Sequence, residues 1–138
     1  MPAGLSTASP EAWRTADSWI QDCLQNHTAC NNNHGVELCY PTRVLDVGHG
    51  DRASDVVHLV ETNEQPPQGA YIALSHCWGK MPFLCTMKEN LVCVKAGLHV
   101  SGLAQTFQDA IVVTRRLKVR YLWIDGLCIL QDKQDLSD

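Results

Sequence analysis

Behind Ser9-Pro10-Glu11, apolar residues recur at helical spacing: Trp13, Ala16, Trp19, Ile20, Cys23 and Leu24 fall on one face. Ser9 is a good N-cap, Pro10 suits the first helical position and Glu11 the first turn. The pattern predicts a helix over about 10–27, ended by the polar run NNNHG at 31–35. Two short β-prone runs follow, RVLDV (43–47) and VVHLVET (56–62), separated by the Gly- and Asp-bearing GHGDRAS. They read as a hairpin or a pair of edge strands. The Pro-rich loop NEQPPQG (63–69) then leads into a third strand, Tyr71-Ile72-Ala73-Leu74, which delivers Ser75, His76, Cys77, Trp78 and Gly79 in succession.

Further on, Thr86-Met87-Lys88-Glu89 matches a capping box, and Gly97 suits the stop of the helix it would start. Thr106-Phe107-Gln108-Asp109 repeats the device with Asp in place of Glu or Gln. Phe107, Ala110, Ile111, Thr114 and Leu117 form one face of the next helix, and Val112 and Val113 widen it enough to predict thorough burial. RYLWID (120–125) is apolar on consecutive positions, the pattern of a strand covered on both faces, as in a parallel sheet flanked by helices. The expected class is therefore α/β, with a mostly parallel sheet, an N-terminal helix and a β-hairpin. The two strongest strands end in SHCWG and DGLC, and open parallel sheets bind ligands just beyond such ends.

Bulk properties narrow the function. The 138 residues are 45% hydrophobic, enough for one small core, and the net charge of −4 argues against nucleic acid as a partner. Arg115, Arg116, Lys118 and Arg120 form a basic cluster at a helix end, where cations complement the helix dipole. No apolar run approaches the roughly 18 residues that span a bilayer. MPAGLSTASP lacks the basic and apolar regions of a signal peptide, so seven cysteines read as reduced thiols and the expected location is cytoplasmic.

YIALSHCWG and TFQDAIVVTRRLKVRYLWIDGLCILQD together resemble the heterokaryon incompatibility (HET) domain of filamentous fungi. That family's strand ends in Leu-Ser-Tyr-x-Trp-Gly. It is followed by Thr-Phe-x-Asp-Ala-Ile, an Arg-rich helix end, and Tyr-Leu-Trp-Ile-Asp-Ser-Leu-Cys-Ile-x-Gln-Asp. The upstream WIQDCLQNHTACN and YPTRVLDVG are similar to the leader that precedes such domains, so the resemblance covers about residues 13–138. His76 replaces the usual Tyr, Lys118 the usual Gly and Gly126 the usual Ser. The family's acidic stretch, Asp-Trp and Glu-bearing helix do not follow Asp132, so the expectation is a domain incomplete at its C-terminus. The expected organisation is a helical leader with a Cys/His cluster over 1–40 and a partial HET domain over 41–138, with core motifs at 71–79 and 106–132.

The resemblance implies a signalling module in fungal self/non-self recognition and programmed cell death, acting through protein partners or self-association without turnover or cofactor. It also implies a distant likeness to Toll/interleukin-1 receptor domains, some of which cleave NAD. The alternative reading is therefore an NAD or nucleotide glycohydrolase, inactive in this chain because the Glu that would carry the chemistry is not in it.

Among single residues, Ser75, His76, Trp78, Asp125, Cys128, Gln131 and Asp132 are the pocket-lining candidates, and no catalytic residue is assigned. Neighbours on an extended strand face opposite ways, so His76 is badly placed to serve Cys77 as a base. Asp125 closes a buried strand and needs partners: a helix cap, a ligand hydroxyl, His76 or an Arg. Cys128 reads as a small buried hydrophobe, and Gln131 and Asp132 as exposed unless a ligand covers them. Cys23 and His27 lie four apart on one helical face with Cys30 just beyond, and His34 and Cys39 nearby. The Cys-x2-Cys pairing of structural zinc sites is missing. The sequence therefore argues for packing or a local hydrogen bond there, and for no metal.

Overall fold

A computed structural model describes residues 6–31, 39–48, 54–80 and 84–132; His34 lies outside them. The chain divides into two compact units, Met1–Cys39 and Tyr40–Asp138.

The first unit holds α1 (Pro10–Asn26) and the short α2 (Thr28–Asn31). The Ser9 hydroxyl accepts from the Ala12 N–H, as its N-cap role requires. No residue of α1 is buried, and Trp19 and Leu24 are largely exposed.

The second unit is a mixed α/β layer built on one five-stranded sheet among the described residues. Its strands are β1 (Arg43–Asp46), β2 (Val56–Glu61), β3 (Tyr71–Leu74), β4 (Leu98–His99) and β5 (Tyr121–Ile124), in the order β3-β5-β1-β2-β4. β1 and β2 form the expected antiparallel pair, from Arg43 opposite Glu61 to Asp46 opposite His58. β1 also runs antiparallel to β5, and β2 to β4; β3 with β5 is the one parallel pair described.

The expectation of a mostly parallel sheet is thus corrected: the described sheet is mostly antiparallel. The consecutive apolar residues of β5 record its central position, walled by β3 and β1 and covered by side chains, not its direction. Leu122 and Ile124 are fully buried, as are Leu45 and Val57 of the hairpin.

α3 (Leu91–Ala96), a 3-10 turn (Val100–Gly102), α4 (Gln105–Arg116) and α5 (Asp125–Cys128) complete the unit. Phe107, Ile111 and Thr114 carry α4 onto the core, where each fully buried large side chain contributes about 1.5–3 kcal/mol. Val112 and Val113, expected to be buried, are exposed. The helix contacts the core on one stripe only, and both valines lie off it.

Neither capping box caps its helix. Thr86 is fully buried, its N–H bonded to the Gly126 carbonyl and its carbonyl accepting from Gln131 N–H. α3 begins five residues later, after a turn in which the Asn90 side chain accepts from Met87 N–H at 2.7 Å and donates to the Cys85 carbonyl at 2.9 Å. α4 begins after Ala104, and Thr106 takes no capping role. Gly97 does end α3: its φ is +146°, and a Cβ there would meet Val56 Cγ1 at 2.8 Å.

Two residues of the basic cluster are tied into the fold. Arg115 donates to the Val47 and Ser54 carbonyls, and Arg120 grips Asp46 with two nitrogens at 3.0 and 2.7 Å. The end of α4 is a Schellman motif: Lys118 N–H bonds the Arg115 carbonyl and Val119 N–H the Thr114 carbonyl. Lys118 occupies its left-handed position with φ +58°, alone among described non-glycine residues. That is the position where the resembled family carries glycine.

Candidate functional site

The parallel pair sets the site. Leu74 lies opposite Ile124 in register, so β3 and β5 release SHCWG and DGLC at the same level of the sheet. Among the described residues β3 and β4 are the two edge strands of the sheet, and β5 lies inside it, so Tyr71 to Leu74 form one of its edges.

Trp78, His76 and Phe107 gather around Asp125 and Gly126 beyond the strand ends. Trp78 Nε1 donates to Asp125 Oδ2 at 2.8 Å, and the other carboxylate oxygen accepts from Gly126 N–H at 2.7 Å. His76 Nδ1 lies 3.8 Å from Asp125 Oδ1, and its ring stands edge-on to Phe107 with centroids 5.2 Å apart. The His76 side chain is only 11% exposed, whereas Cys77 is exposed. The two residues, both beyond the end of β3, differ in exposure, and they form no thiolate–imidazole pair among the described residues. Gly79, with φ +69°, turns the chain out of the strand end.

Asp125 is therefore both the N-terminal residue of α5 and the acceptor that closes the two motifs on each other. Its carboxylate holds two N–H groups while its side chain stays one-third exposed. What the cluster offers an incoming group is an acidic acceptor beside a partly exposed indole, over a sheltered imidazole.

The other pocket candidates divide. Ser75 is exposed at the strand end. Cys128 is buried, accepts from Ile124 N–H, and has its thiol pushed up to about 12 by burial, so it is a core residue and lines no surface. Gln131 and Asp132, expected to be exposed, are half-buried. The Gln131 amide donates to the Asp125 and Ile129 carbonyls, and Asp132 accepts from Lys88 N–H. They strap residues 85–88 to the end of α5, a role that no local pattern announces. Cys85, next to buried Thr86, has its thiol pKa raised by burial first and then by the Asp125 charge.

A surface cleft of about 260 Å³ lies elsewhere, lined by Asp46, His58, Glu61, Glu64 and Lys95 with neighbouring backbone. The ion pairs of Lys95 with Glu61 and Glu64, at 3.0 and 3.1 Å, cross it. None of the strand-end residues lines it.

In the N-terminal unit, the ligand atoms of Cys23, His27 and Cys30 all lie within 4.8 Å of one another. The Cys23 thiol pKa is raised, first by its hydrogen bond with Cys30, then by burial and by the charges of Cys30 and Asp22.

Residues 71–138 match the family model described as Heterokaryon incompatibility protein (HET). No curated protein and no solved structure matches the chain.

Proposed function

Because residues 71–138 belong to the heterokaryon incompatibility (HET) family, we propose that this chain is a signalling module of fungal self/non-self recognition whose engagement triggers programmed cell death. Its family-level function is of the heterokaryon incompatibility type. The proposal adds the mode of action: protein contact, without turnover, through the surface where β3 ends.

The observation that carries it is the Trp78–Asp125 bond. It ties together two stretches that both lie within the matched residues 71–138 and leaves Trp78 40% exposed at the end of β3, an edge strand of the described sheet. An exposed edge strand is a template for a second chain, and a half-exposed indole with its N–H already satisfied offers apolar contact area to a protein. No helix among the described residues is long and apolar enough to cross a membrane.

Induced expression in a filamentous fungus, scored by colony survival and by dye uptake in fused hyphal compartments, tests the proposal. Cellular NAD is measured in the same cultures. The proposal expects death with NAD held until membranes fail. Unchanged viability would overturn it, and NAD loss preceding death would replace contact signalling with hydrolysis.

A further inference from the structure

We propose that Cys23, His27 and Cys30 form a zinc-binding clasp that pins α2 to the end of α1. Spacing alone predicts packing or a local hydrogen bond for these residues. Packing does not account for them: α1 has no buried residue, Cys23 is only half-buried, and His27 and Cys30 are exposed.

The backbone brings the three together. α1 stops at Asn26, and the His27 N–H still bonds the Cys23 carbonyl at 3.2 Å, keeping the imidazole one turn below the first thiol. The Cys30 N–H then bonds the His27 carbonyl at 3.0 Å, so the first turn of α2 curls the second thiol back toward the first.

Tetrahedral zinc with sulfur at about 2.3 Å and nitrogen at about 2.0 Å sets its ligand atoms roughly 3.5–3.8 Å apart. The observed upper bound of 4.8 Å therefore closes with side-chain adjustments of about 1 Å. Two thiolates and an imidazole form a donor set that suits Zn²⁺ and disfavours Mg²⁺ or Ca²⁺. Binding releases the two thiol protons to solvent and leaves a neutral site whose fourth position takes water.

Asp22 is a positioning residue in this arrangement. Its carboxylate lies 3.7 Å from His27 Nε2 and accepts from the Asn26 amide at 2.6 Å. A carboxylate behind a ligating histidine fixes the ring and raises its basicity. The benefit to the fold is local: a four-residue helix such as α2 does not hold itself in water, and a metal shared with α1 holds it.

The test uses the full 138-residue chain, reduced and metal-free, titrated with Co²⁺ and then Zn²⁺. One Co²⁺ should bind per chain, with tetrahedral ligand-field and thiolate charge-transfer bands that Zn²⁺ abolishes. Cys23→Ser and Cys30→Ser should lose those bands, and Cys93→Ser should keep them. Asp22→Ala should weaken binding about 10-fold with the spectrum unchanged. Zinc should also slow amide exchange over residues 28–31. Absence of bound Co²⁺, or equal binding by the Cys23→Ser and Cys30→Ser chains with far-ultraviolet spectra like the parent's, would overturn the proposal.

Discussion

Trp78 and Asp125, 47 positions apart, are joined by an indole N–H donated to a carboxylate at 2.8 Å. The bond spans the ends of the one parallel strand pair described in an otherwise antiparallel sheet. A hydrogen bond to a charged acceptor is worth about 1.5 kcal/mol when partly shielded from water. Trp78→Phe, which removes the donor and keeps a smaller aromatic ring, should lower the urea-unfolding free energy by at least about that much. In a double-mutant cycle with Asp125→Asn, the coupling should be about 1 kcal/mol.

Lys118 holds a left-handed backbone that costs a side-chain-bearing residue about 1–2 kcal/mol. Glycine there removes that strain and returns part of the gain as unfolded-state entropy. Lys118→Gly should stabilise the protein by roughly 0.5–1 kcal/mol, seen as a rise of several degrees in the thermal midpoint. A fall would mean that Lys118 makes compensating contacts.

The Trp78–Asp125 pair and Lys118 show what the sequence could and could not say. The parallel neighbourhood of the two motif ends followed from two apolar runs stopping in polar clusters, and the structure pairs them in register. Lys118 stood out because glycine is usual in its place. Strand direction was not legible: β5 is apolar throughout because it is central, and burial looks alike in parallel and antiparallel sheets.

The capping boxes misled because a local Thr-x-x-Glu pattern carries no information about Thr86 being buried against Gly126 and Gln131. The same long-range strap took Gln131 and Asp132 off the surface. Cys23, His27 and Cys30 were visible as a spacing, but their convergence depends on the chain turning at His27.

Acid should destabilise the hairpin–β5 junction. Burial works to raise the Asp46 pKa, but the Arg120 hydrogen bonds, the Gly48 N–H and the Arg120 charge outweigh it and hold the carboxyl below its usual range. A depressed folded pKa contributes stability that is complete above the unfolded value of about 3.9 and is lost as pH falls through the folded one. Glu61 adds in the same sense, held low first by its hydrogen bond from Lys95. Denaturant midpoints followed downward from about pH 5 should fall less steeply in Arg120→Gln than in the parent. Parallel curves would remove Asp46–Arg120 from the account.

Thiol reactivity should rank by exposure. Cys30, Cys39, Cys77 and Cys93 are exposed, whereas Cys128 is buried with its pKa pushed up to about 12. Alkylation of the metal-free native protein near pH 8, read by peptide mass, should label those four first and Cys128 only on unfolding. Labelling of Cys128 at the rate of Cys77 would contradict its placement in the core.

In the proposed function the chain acts through its joined strand ends. The most direct measurement is survival of fungal cultures expressing the parent chain or Trp78→Ala, with equal protein levels and matched circular dichroism spectra. The parent should kill, and Trp78→Ala, lacking both the apolar face and the bond to Asp125, should not. Equal killing by a folded Trp78→Ala chain would contradict it.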